Sequence, residues 1–258
     1  MKILLIAGHG GTPYDSGAVG NGYTEAVETR RMATAVAPLL RNYGFSVQMY
    51  DQSQDAYKVV TQGGSIPLSG IDYVMEFHLN SAANDLKGNG KTTGSEIFVH
   101  VNENGIGVEQ AILKRLAALG FTNRGVKRSS GLAVLKHVYK RGVSHALIET
   151  CFIDDKDDMT LYKEKFNDIA KAIADGVAEG FGKEVDDMTE AQVKQIVTNM
   201  QQAEIYDTVE ECPSWAKPTV QKLVNKGFLE GNTDGKLDMS YDFMRTLVVC
   251  DRAHLFGD

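Results

Sequence analysis

Cysteine is scarce in this 258-residue chain, which contains only Cys151, Cys212 and Cys250. Three scattered thiols cannot build the disulfide framework that stabilises small secreted domains. We therefore expect a reducing environment such as the cytoplasm, in which all three cysteines are free. Cys212 and Cys250 could pair only if the protein were released to the outside after synthesis.

Long apolar runs are also absent. The N-terminal segment has about five consecutive apolar residues before the glycines begin, whereas a membrane-spanning helix needs about 20. A secretory signal likewise needs a longer apolar stretch and a small-residue cleavage site. We interpret the segment as a buried strand. The sequence therefore predicts a cytoplasmic protein that does not insert into membranes.

The chain has no stripe of basic residues. Its formal net charge is −7, and most of the acidic excess lies in residues 183–258. A chain without clustered Lys and Arg is not expected to bind nucleic acid. The hydrophobic fraction of 43% is ordinary for a globular protein, and the length leaves room for one large domain and a small one.

Short apolar runs alternate with helical patterns through about residue 182, which is typical of a parallel sheet covered by helices. We predict an α/β fold with a twisted, mostly parallel sheet and helices on both faces. The predicted strands are Ile3 to Ala7, Phe45 to Tyr50, Tyr73 to Leu79, Glu96 to Val101, Ala133 to His137 and Ser144 to Phe152. The predicted helices are Thr24 to Asn42, Gly107 to Leu119 and Met159 to Phe181. Pro38 should kink or end the first of these helices.

The composition changes after residue 182, where a charged stretch without apolar periodicity begins. We predict a main domain over residues 1–182, a linker and helix over 183–205, and a small helical module over 206–258. Thr189 would cap the linker helix, which ends near Gln202. In the module, one helix follows Pro213 and ends near Gly227, and a second begins near Ser240.

Two histidines lie where predicted strands end. His9 follows the first strand, and His78 lies near the end of the third. Ligands bind beyond the carboxyl ends of parallel strands, so both imidazoles should reach one edge of the sheet. Glu25, in the first turn of a helix, follows a glycine-rich loop that can fold back to the same edge. Together His9, Glu25 and His78 could hold one zinc ion, with water as the fourth ligand.

Glu149 ends another apolar run, at the carboxyl end of a predicted strand. A carboxylate costs several kcal/mol of desolvation there unless it is paired or used, and work as a general base beside the metal would explain it. Glu76 and Asn80 share a strand face with His78. Glu76 could orient a ligand or be a solvated strand residue, and Asn80 could bind substrate or satisfy a turn.

Each of these residues alone has a structural explanation, such as a hydrogen-bonded histidine or a favourable acid in a first helical turn. The shared position at one edge favours the functional interpretation. We interpret Cys151 as a small buried hydrophobe. The glycines near His9 lack the ending of a phosphate-binding loop, so nucleotide binding is not predicted. The remaining histidines, interpreted as structural or surface residues, are His100, His137, His145 and His254.

Four short motifs occur in order along the first 182 residues. They are Gly8-His9-Gly10-Gly11, Gly20-Asn21-Gly22-Tyr23-Thr24-Glu25, His78-Leu79-Asn80 and Glu149-Thr150-Cys151-Phe152. In these motifs the chain resembles the zinc-dependent N-acetylmuramoyl-L-alanine amidases of the amidase-3 family, which includes bacterial autolysins and phage endolysins. The resemblance implies that His9, Glu25 and His78 bind Zn²⁺ and that Glu149 is the catalytic acid and base.

The resemblance further implies hydrolysis of the amide bond between N-acetylmuramic acid and L-alanine in peptidoglycan, which causes cell-wall lysis. Two positions depart from the family, since relatives often have Ser where this chain has Glu76 and Gly where it has Cys151. Two alternatives stay open: a zinc peptidase that cuts the stem peptide, and a non-catalytic wall-binding protein.

The small helical module over 206–258 is similar to short C-terminal modules of several Gram-positive amidases and to surface-layer-homology repeats. Such a module would bind the wall or form a homo-oligomer. Because no signal peptide is evident, we expect the enzyme to remain in the cytoplasm until it is released to the wall. A phage endolysin of a Gram-positive host, released through a holin-type pore, fits this expectation. A host enzyme freed by lysis of the mother cell fits equally.

Overall fold

The structure is a computed structural model that describes residues 1–11, 15–185, 205–253 and 255–256. The chain divides into two compact units, Met1–Lys194 and Gln195–Asp258, which are described separately. The predicted linker helix beginning at Thr189 lies outside the described residues. Among the described residues, none of the helices combines the length and the apolar character needed to cross a bilayer.

A six-stranded sheet forms the centre of the first unit. The strands of this unit are β1 (Lys2–Ala7), β2 (Val19–Gly20), β3 (Tyr23–Thr24), β4 (Ser46–Met49), β5 (Tyr73–Asn80), β6 (Ser95–His100), β7 (Asn123–Ser129) and β8 (Ser144–Phe152). The order in the sheet is β4-β1-β5-β8-β6-β7, and β2 pairs with β3 in a separate hairpin. The neighbours are parallel except β6 and β8, so β6 and β7 run opposite to the other four strands.

Helices cover both faces of this sheet, as predicted. They are α1 (Glu25–Asn42), α2 (Ala56–Thr61), α3 (Gly107–Leu119), α4 (Ala133–Tyr139), α5 (Lys156–Glu164) and α6 (Phe166–Gly180). Leu4 and Ile6 of β1 join Val134 and Val138 of α4 in one buried apolar cluster. Helices α1, α3 and α6 pack together in the other layer. The predicted fold class, a mostly parallel sheet with surrounding helices, is confirmed.

Helices α3 and α6 approach each other closely at two glycines, Gly176 and Gly180, one turn apart on α6. A methyl group on Gly176 would lie 2.6 Å from the Cα atom of Ile112, and one on Gly180 would lie 2.5 Å from the Cα atom of Val108. Both neighbouring atoms belong to the backbone of α3, so side-chain movement could not relieve the overlap. Glycine therefore allows this backbone-to-backbone contact.

Several predicted elements need correction. Residues 133–137 form part of helix α4 instead of a strand, because Val134 and Val138 are buried at helical spacing. The helix predicted from Met159 to Phe181 is two helices, α5 and α6, separated at Lys165. Helix α1 continues through Pro38 to Asn42 instead of ending there. Strand β7 and helix α2 were not predicted.

The second unit contains the two helices that the sequence predicted. The elements described in this unit are β9 (Ile205–Tyr206), α7 (Lys217–Asn225), β10 (Met239–Ser240) and α8 (Tyr241–Arg252). Gly227 has a φ of 69° just beyond the end of α7, a conformation that glycine adopts without strain. The Ser240 side chain accepts a hydrogen bond from the backbone N–H of Phe243 and so caps α8. The small core includes Val220, Leu223, Met239, Met244 and Leu247.

Candidate metal centre

Three neighbouring strands direct side chains to one edge of the sheet. Strands β1, β5 and β8 are adjacent and parallel, so their carboxyl ends lie at the same edge. His9 follows β1 by two residues, and His78 lies near the end of β5. Glu149 of β8 is the register partner of His78, so its side chain starts beside that imidazole. The predicted convergence on this edge is therefore present in the fold.

His9, Glu25 and His78 form a compact cluster. Nε2 of His9 and Nδ1 of His78 each lie 3.0 Å from Oε1 of Glu25. One nitrogen or oxygen from each of the three residues lies within 4.8 Å of the others, a spacing that suits a single metal ion. Two imidazoles and one carboxylate are a donor set that suits zinc, with a further position open to water or substrate.

The backbone places Glu25 in this cluster. The β2–β3 hairpin turns the chain back so that Glu25 is the first residue of α1. Its Oε2 accepts a hydrogen bond from the N–H of Ala18 at 2.9 Å, and its Oε1 accepts one from the N–H of Leu79 at 3.1 Å. The carboxylate is thus fixed by the loop before its own helix and by the strand that carries His78.

Two glycines make room for the cluster. A Cβ atom on Gly8 would lie 2.4 Å from Cε1 of the His78 ring, so that imidazole can occupy its position only against a glycine. Gly17 has a φ of 64°, and a Cβ atom there would lie 2.6 Å from the His9 ring. The same atom would also lie 2.7 Å from Oε2 of Glu25. Both histidines therefore rest directly on glycine backbone.

The histidines of the cluster also contact carboxylates on their other sides. Nδ1 of His9 lies 3.0 Å from Oδ2 of Asp15. Nε2 of His78 lies 3.3 Å from Oε1 of Glu76. Such outer carboxylates orient an imidazole and raise its basicity toward a metal. The sequence interpretation named Glu76 but missed Asp15, although an acid six residues after His9 in a turn-forming loop was a usable signal.

Arg30 of α1 holds the backbone around His9. Its guanidinium donates hydrogen bonds to the carbonyl oxygens of His9 at 2.9 Å, Gln52 at 2.8 and 3.0 Å, and Ala26 at 2.7 Å. His9 has a φ of 66°, which is unusual for a residue other than glycine and marks local backbone strain. The contacts from Arg30 help to hold that strained residue in place. Sequence reasoning did not identify Arg30.

The charges of the cluster are strongly coupled. Burial disfavours the charged form of Glu25, but hydrogen bonds with His78 and His9 outweigh this effect and hold the pKa of the Glu25 carboxyl well below its usual range. Burial likewise opposes protonation of His78, yet contacts with Glu25 and Glu76 raise its pKa well above 6.5. The pKa of His9 is raised for the same kind of reason, chiefly through Glu25. The carboxylates of Glu25, Glu76 and Asp15 therefore place negative charge around both imidazoles.

Glu149 has a different environment. Its Oε2 atom is buried without a hydrogen-bond partner in the described structure. Burial raises the pKa of its carboxyl to about 7; His78 opposes that rise, and the negative charges of Glu25, Glu96 and Glu76 add to it. A carboxyl group with a pKa near neutrality can both accept and release a proton. Glu149 therefore has the properties of an acid–base residue beside the cluster.

The far side of Glu149 is formed by strands that run in the opposite direction. Glu96, near the start of β6, is the register partner of Glu149. One oxygen of Glu96 accepts a hydrogen bond from the Asn80 amide at 2.8 Å, and the other lies 3.0 Å from Nε of Arg124. The Asn80 oxygen also accepts the N–H of Ser81 at 2.8 Å. Sequence reasoning placed Asn80 here but missed Glu96 and Arg124.

A cavity of about 310 Å³ opens beside the cluster. His9, Asp15, Glu76 and His78 form its polar wall. Its other walls are mainly apolar and come from α2, α4, the segment before α4 and strand β8; they are Ala56, Tyr57, Gly131, Leu132, Ala133, Val134, Leu135 and Leu147. Cavities of this size and lining typically bind small groups of a substrate next to the reacting atoms.

The loop after β5 borders the same edge and is anchored to the segment after β8. The carboxylate of Asp154 accepts hydrogen bonds from three successive N–H groups, those of Ala82, Ala83 and Asn84, at 2.8 to 3.1 Å. Further along, Asp157 accepts the N–H groups of Asn89 and Gly90 at 2.8 Å. The acidic run after Phe152 therefore fixes the shape of the rim.

The other residues considered from the sequence lie apart from this cluster, with one exception. Cys151 is buried and free, with its sulfur 3.8 Å from that of Met159. His100 stacks on Tyr139 with ring centroids 3.7 Å apart. His145, interpreted from the sequence as a structural or surface residue, is the exception, because its Nε2 lies 3.2 Å from Oε2 of Glu76. His254 lies outside the described residues.

Comparisons with known proteins agree with this geometry. Residues 3–179 match the sequence pattern of the Amidase_3 family, described as N-acetylmuramoyl-L-alanine amidase. The Staphylococcus aureus protein named Probable autolysin PH is 29% identical over 213 residues, which are 77% of this chain and 42% of that protein. This chain thus spans less than half the length of that relative.

Two solved structures share the fold. The catalytic domain of CD27L, an endolysin described as targeting Clostridia Difficile, has a TM-score of 0.55 and 26% identity, over 72% of this chain and 99% of that domain. The catalytic domain of CwlV, an N-acetylmuramoyl-L-alanine amidase from Bacillus (Paenibacillus) polymyxa, has a TM-score of 0.55 and 23% identity, over 71% and 100%.

The resemblance predicted from the four motifs is thereby confirmed at the level of the family. The matched residues 3–179 cover most of the chain and include His9, Glu25, His78 and Glu149, which the fold brings to one edge of the sheet. By sequence pattern and by architecture, this chain belongs to the N-acetylmuramoyl-L-alanine amidase family.

Proposed function

We propose that this chain hydrolyses the amide bond between N-acetylmuramic acid and L-alanine in bacterial peptidoglycan. The observation that carries the proposal is the position of Glu149, in register with His78 and beside the cluster of His9, Glu25 and His78. Membership of the amidase family supports the choice of bond. The proposal concerns the first unit, which contains the matched residues.

In this proposal His9, Glu25 and His78 hold a zinc ion. The donor set and its spacing suit zinc, and the outer carboxylates of Asp15 and Glu76 orient the two imidazoles. A zinc ion bound there supplies Lewis acidity to the amide carbonyl and to the attacking water. The chain itself supplies the ligand geometry, since Gly8 and Gly17 lie directly against the two rings and leave them the space that they occupy.

Glu149 is the acid–base residue of the proposed reaction. Its carboxylate accepts a proton from the attacking water and then donates that proton to the departing L-alanine nitrogen. The C–N bond breaks, and the products are a lactyl carboxylate and a free amine. In the metal-free protein burial raises the pKa of Glu149 to about 7, which suits a group that both accepts and releases a proton.

The proposed partner is peptidoglycan, which would enter along the edge that carries the cluster. One side of the site is the largely apolar cavity that borders His78, and another is the polar chain of Asn80, Glu96 and Arg124, in which Glu96 is the register partner of Glu149. The two sides would therefore contact chemically different parts of the substrate. Asn80 is proposed to act in substrate binding through this polar side.

The decisive experiment is digestion of purified peptidoglycan with mass spectrometry of the products. We expect a new amine on L-alanine and a free carboxyl on the lactyl group of muramic acid. Treatment with a chelator should abolish the release, and added Zn²⁺ should restore it. Full cleavage by metal-stripped protein would refute the metal assignment. New termini within the stem peptide would instead identify a zinc peptidase.

Glu149→Gln separates metal binding from catalysis. Glutamine keeps the shape of the side chain but cannot accept the proton, so turnover should fall by about 100- to 10,000-fold while zinc affinity stays unchanged. Zinc content and kcat are measured on the same sample. Turnover within about tenfold of the unmodified protein would exclude the general-base role. If the unmodified protein itself sediments with cell walls and releases no soluble product, the chain is a wall-binding protein without activity.

A further inference from the structure

The carboxyl group of Glu76 and the imidazole of His145 are buried near His78, outside the three-ligand cluster. Glu76 is on β5, two residues before His78 and on the same face of the strand, and its side chain is 5% exposed. His145 is on the neighbouring strand β8, and its side chain is 1% exposed. Neither residue belongs to the three-ligand cluster.

The Glu76 carboxylate bridges two imidazoles. Its Oε1 lies 3.3 Å from Nε2 of His78, and its Oε2 lies 3.2 Å from Nε2 of His145. The angles do not meet those of a hydrogen bond, so Oε2 of Glu76 and both Nε2 atoms count as buried atoms without a hydrogen-bond partner. The nitrogen and oxygen atoms nevertheless lie within 3.3 Å of one another.

Such a pair is costly in this environment. Val74 and Leu147, the nearest strand neighbours in register, are apolar and buried. A carboxylate buried among apolar side chains destabilises the fold by several kcal/mol unless a partner compensates its charge. Two imidazoles lie within 3.3 Å of its oxygens as possible partners, and one of them is a candidate metal ligand. Through these contacts Glu76 links the buried His145 to His78, the candidate metal ligand.

The two nitrogens of His78 face different groups. Nδ1 lies 3.0 Å from Glu25 and so faces the cluster, whereas Nε2 faces Glu76. A carboxylate opposite Nε2 stabilises a proton on that nitrogen and leaves Nδ1 free to donate its lone pair. His145 in turn restrains the Glu76 carboxylate from the opposite side.

We propose that Glu76 and His145 form a positioning pair that fixes the ring orientation and tautomer of His78, with Nε2 protonated and Nδ1 directed at the metal position. The proposal rests on the proposed function, since it assumes that His78 binds the metal. It adds His145 to the residues on which the metal centre depends. A purely structural ion pair would affect unfolding and leave metal affinity unchanged.

The test uses the full chain and measures zinc affinity by competition with a chromophoric chelator. Glu76→Gln and His145→Leu should each lower the affinity by about 10- to 100-fold, the usual effect of losing an outer partner of a metal ligand. His145→Gln, which keeps an N–H donor, should recover part of the loss. Glu109→Gln is the matched control, because Glu109 is also buried but pairs with Tyr73 away from the cluster.

Unmodified protein gives a second measurement that needs no variant. In zinc-loaded protein labelled with ¹⁵N, the His78 ring should show a proton on Nε2 and none on Nδ1. The proposal is overturned if Nδ1 carries the proton. It is also overturned if Glu76→Gln binds zinc within about threefold of the unmodified protein, or if Glu109→Gln weakens binding equally.

These outcomes separate the pair from the proposed function. His9→Ala removes a ligand, so it should abolish tight zinc binding whatever the role of Glu76. Zinc binding that survives unchanged in Glu76→Gln, together with intact cleavage of peptidoglycan, overturns the positioning pair and leaves the function in place. Absence of zinc binding by the unmodified protein overturns both.

Discussion

At the scale of single residues, glycine at position 8 decides whether the His78 imidazole can reach the cluster. In Gly8→Ala the added methyl group would lie 2.4 Å from the ring, so the ring must move. We expect zinc affinity to fall by about tenfold or more, as when a ligand loses its orientation. Competition with a chelator measures the change.

Gly105→Ala is the control for that substitution. A Cβ atom at Gly105 meets nothing within 4 Å, and its φ is not in the left-handed region. The control should therefore bind zinc like the unmodified protein. Equal affinity in the two variants would contradict the close approach of Gly8 to His78.

A second prediction at this scale concerns the titration of Glu149 in metal-free protein. Burial raises the pKa of its carboxyl from 4.5 to about 7, and nearby carboxylates add to the shift. The group should therefore be mostly protonated below pH 7 and mostly ionised above it, so its ability to accept a proton falls as the pH is lowered. ¹³C NMR of the carboxyl carbon measures the midpoint, with Glu149→Gln to assign the signal. A midpoint near 4.5 would contradict the buried, unpartnered environment.

At the scale of secondary-structure elements, the contact between α3 and α6 allows a stability prediction. Gly176→Ala would gain about 1 kcal/mol of helix propensity, but overpacking against a backbone atom costs about 1–3 kcal/mol. The overlap is with the backbone of Ile112, so we expect the cost of overpacking to exceed the gain in helix propensity. The melting temperature should therefore fall by a few degrees. Thermal unfolding measures this, with Gly107→Ala, which meets nothing within 4 Å, as control. Unchanged or increased stability of Gly176→Ala would contradict the close contact.

The direction of β6 and β7 explains which site residues could be predicted from the sequence. His9, His78 and Glu149 follow the rule that parallel strands bring their carboxyl ends to one edge, so their positions could be inferred. Glu96 and Arg124 lie near the starts of strands that run the opposite way. Strand direction depends on pairing between distant segments, which local apolar patterns do not record. These two residues were therefore missed.

The element errors have a similar origin. The run at 133–137 is short and apolar, and such runs do not distinguish a buried strand from a buried helix. Its helical form follows from packing against the sheet through Val134 and Val138. His145 was interpreted as a structural or surface residue, because the sequence gives no sign of its contact with Glu76 on a neighbouring strand. Contacts across strands need the register, which only the folded sheet supplies.

At the scale of the whole molecule, the division into domains over 1–182, 183–205 and 206–258 stays a prediction. The chain has two compact units, and the second has its own small core around Val220 and Met239. We propose that this second unit binds the wall or forms an oligomer, as the similarity to wall-associated modules suggested. Neither role is needed for the chemistry assigned to the first unit.

Comparison of full-length protein with residues 1–194 tests this role. The truncated protein retains every residue of the metal centre, so its cleavage of small soluble muropeptides should be unchanged. Its lysis of whole cell walls should be slower, because a tethered second site raises the local concentration of substrate. Turbidity of a wall suspension measures lysis, and sedimentation analysis of both proteins measures oligomers. Equal lysis by the two proteins would contradict a targeting role.

The Asp154 carboxylate binds three successive N–H groups of the loop after β5, which bears on how the proposed substrate would be bound. Those contacts form when the protein folds, so the entropy of ordering this rim is lost before any substrate arrives. Because the rim is already ordered, substrate binding does not incur this entropic cost. In the proposed function, peptidoglycan would therefore meet a rim that is already ordered on this side.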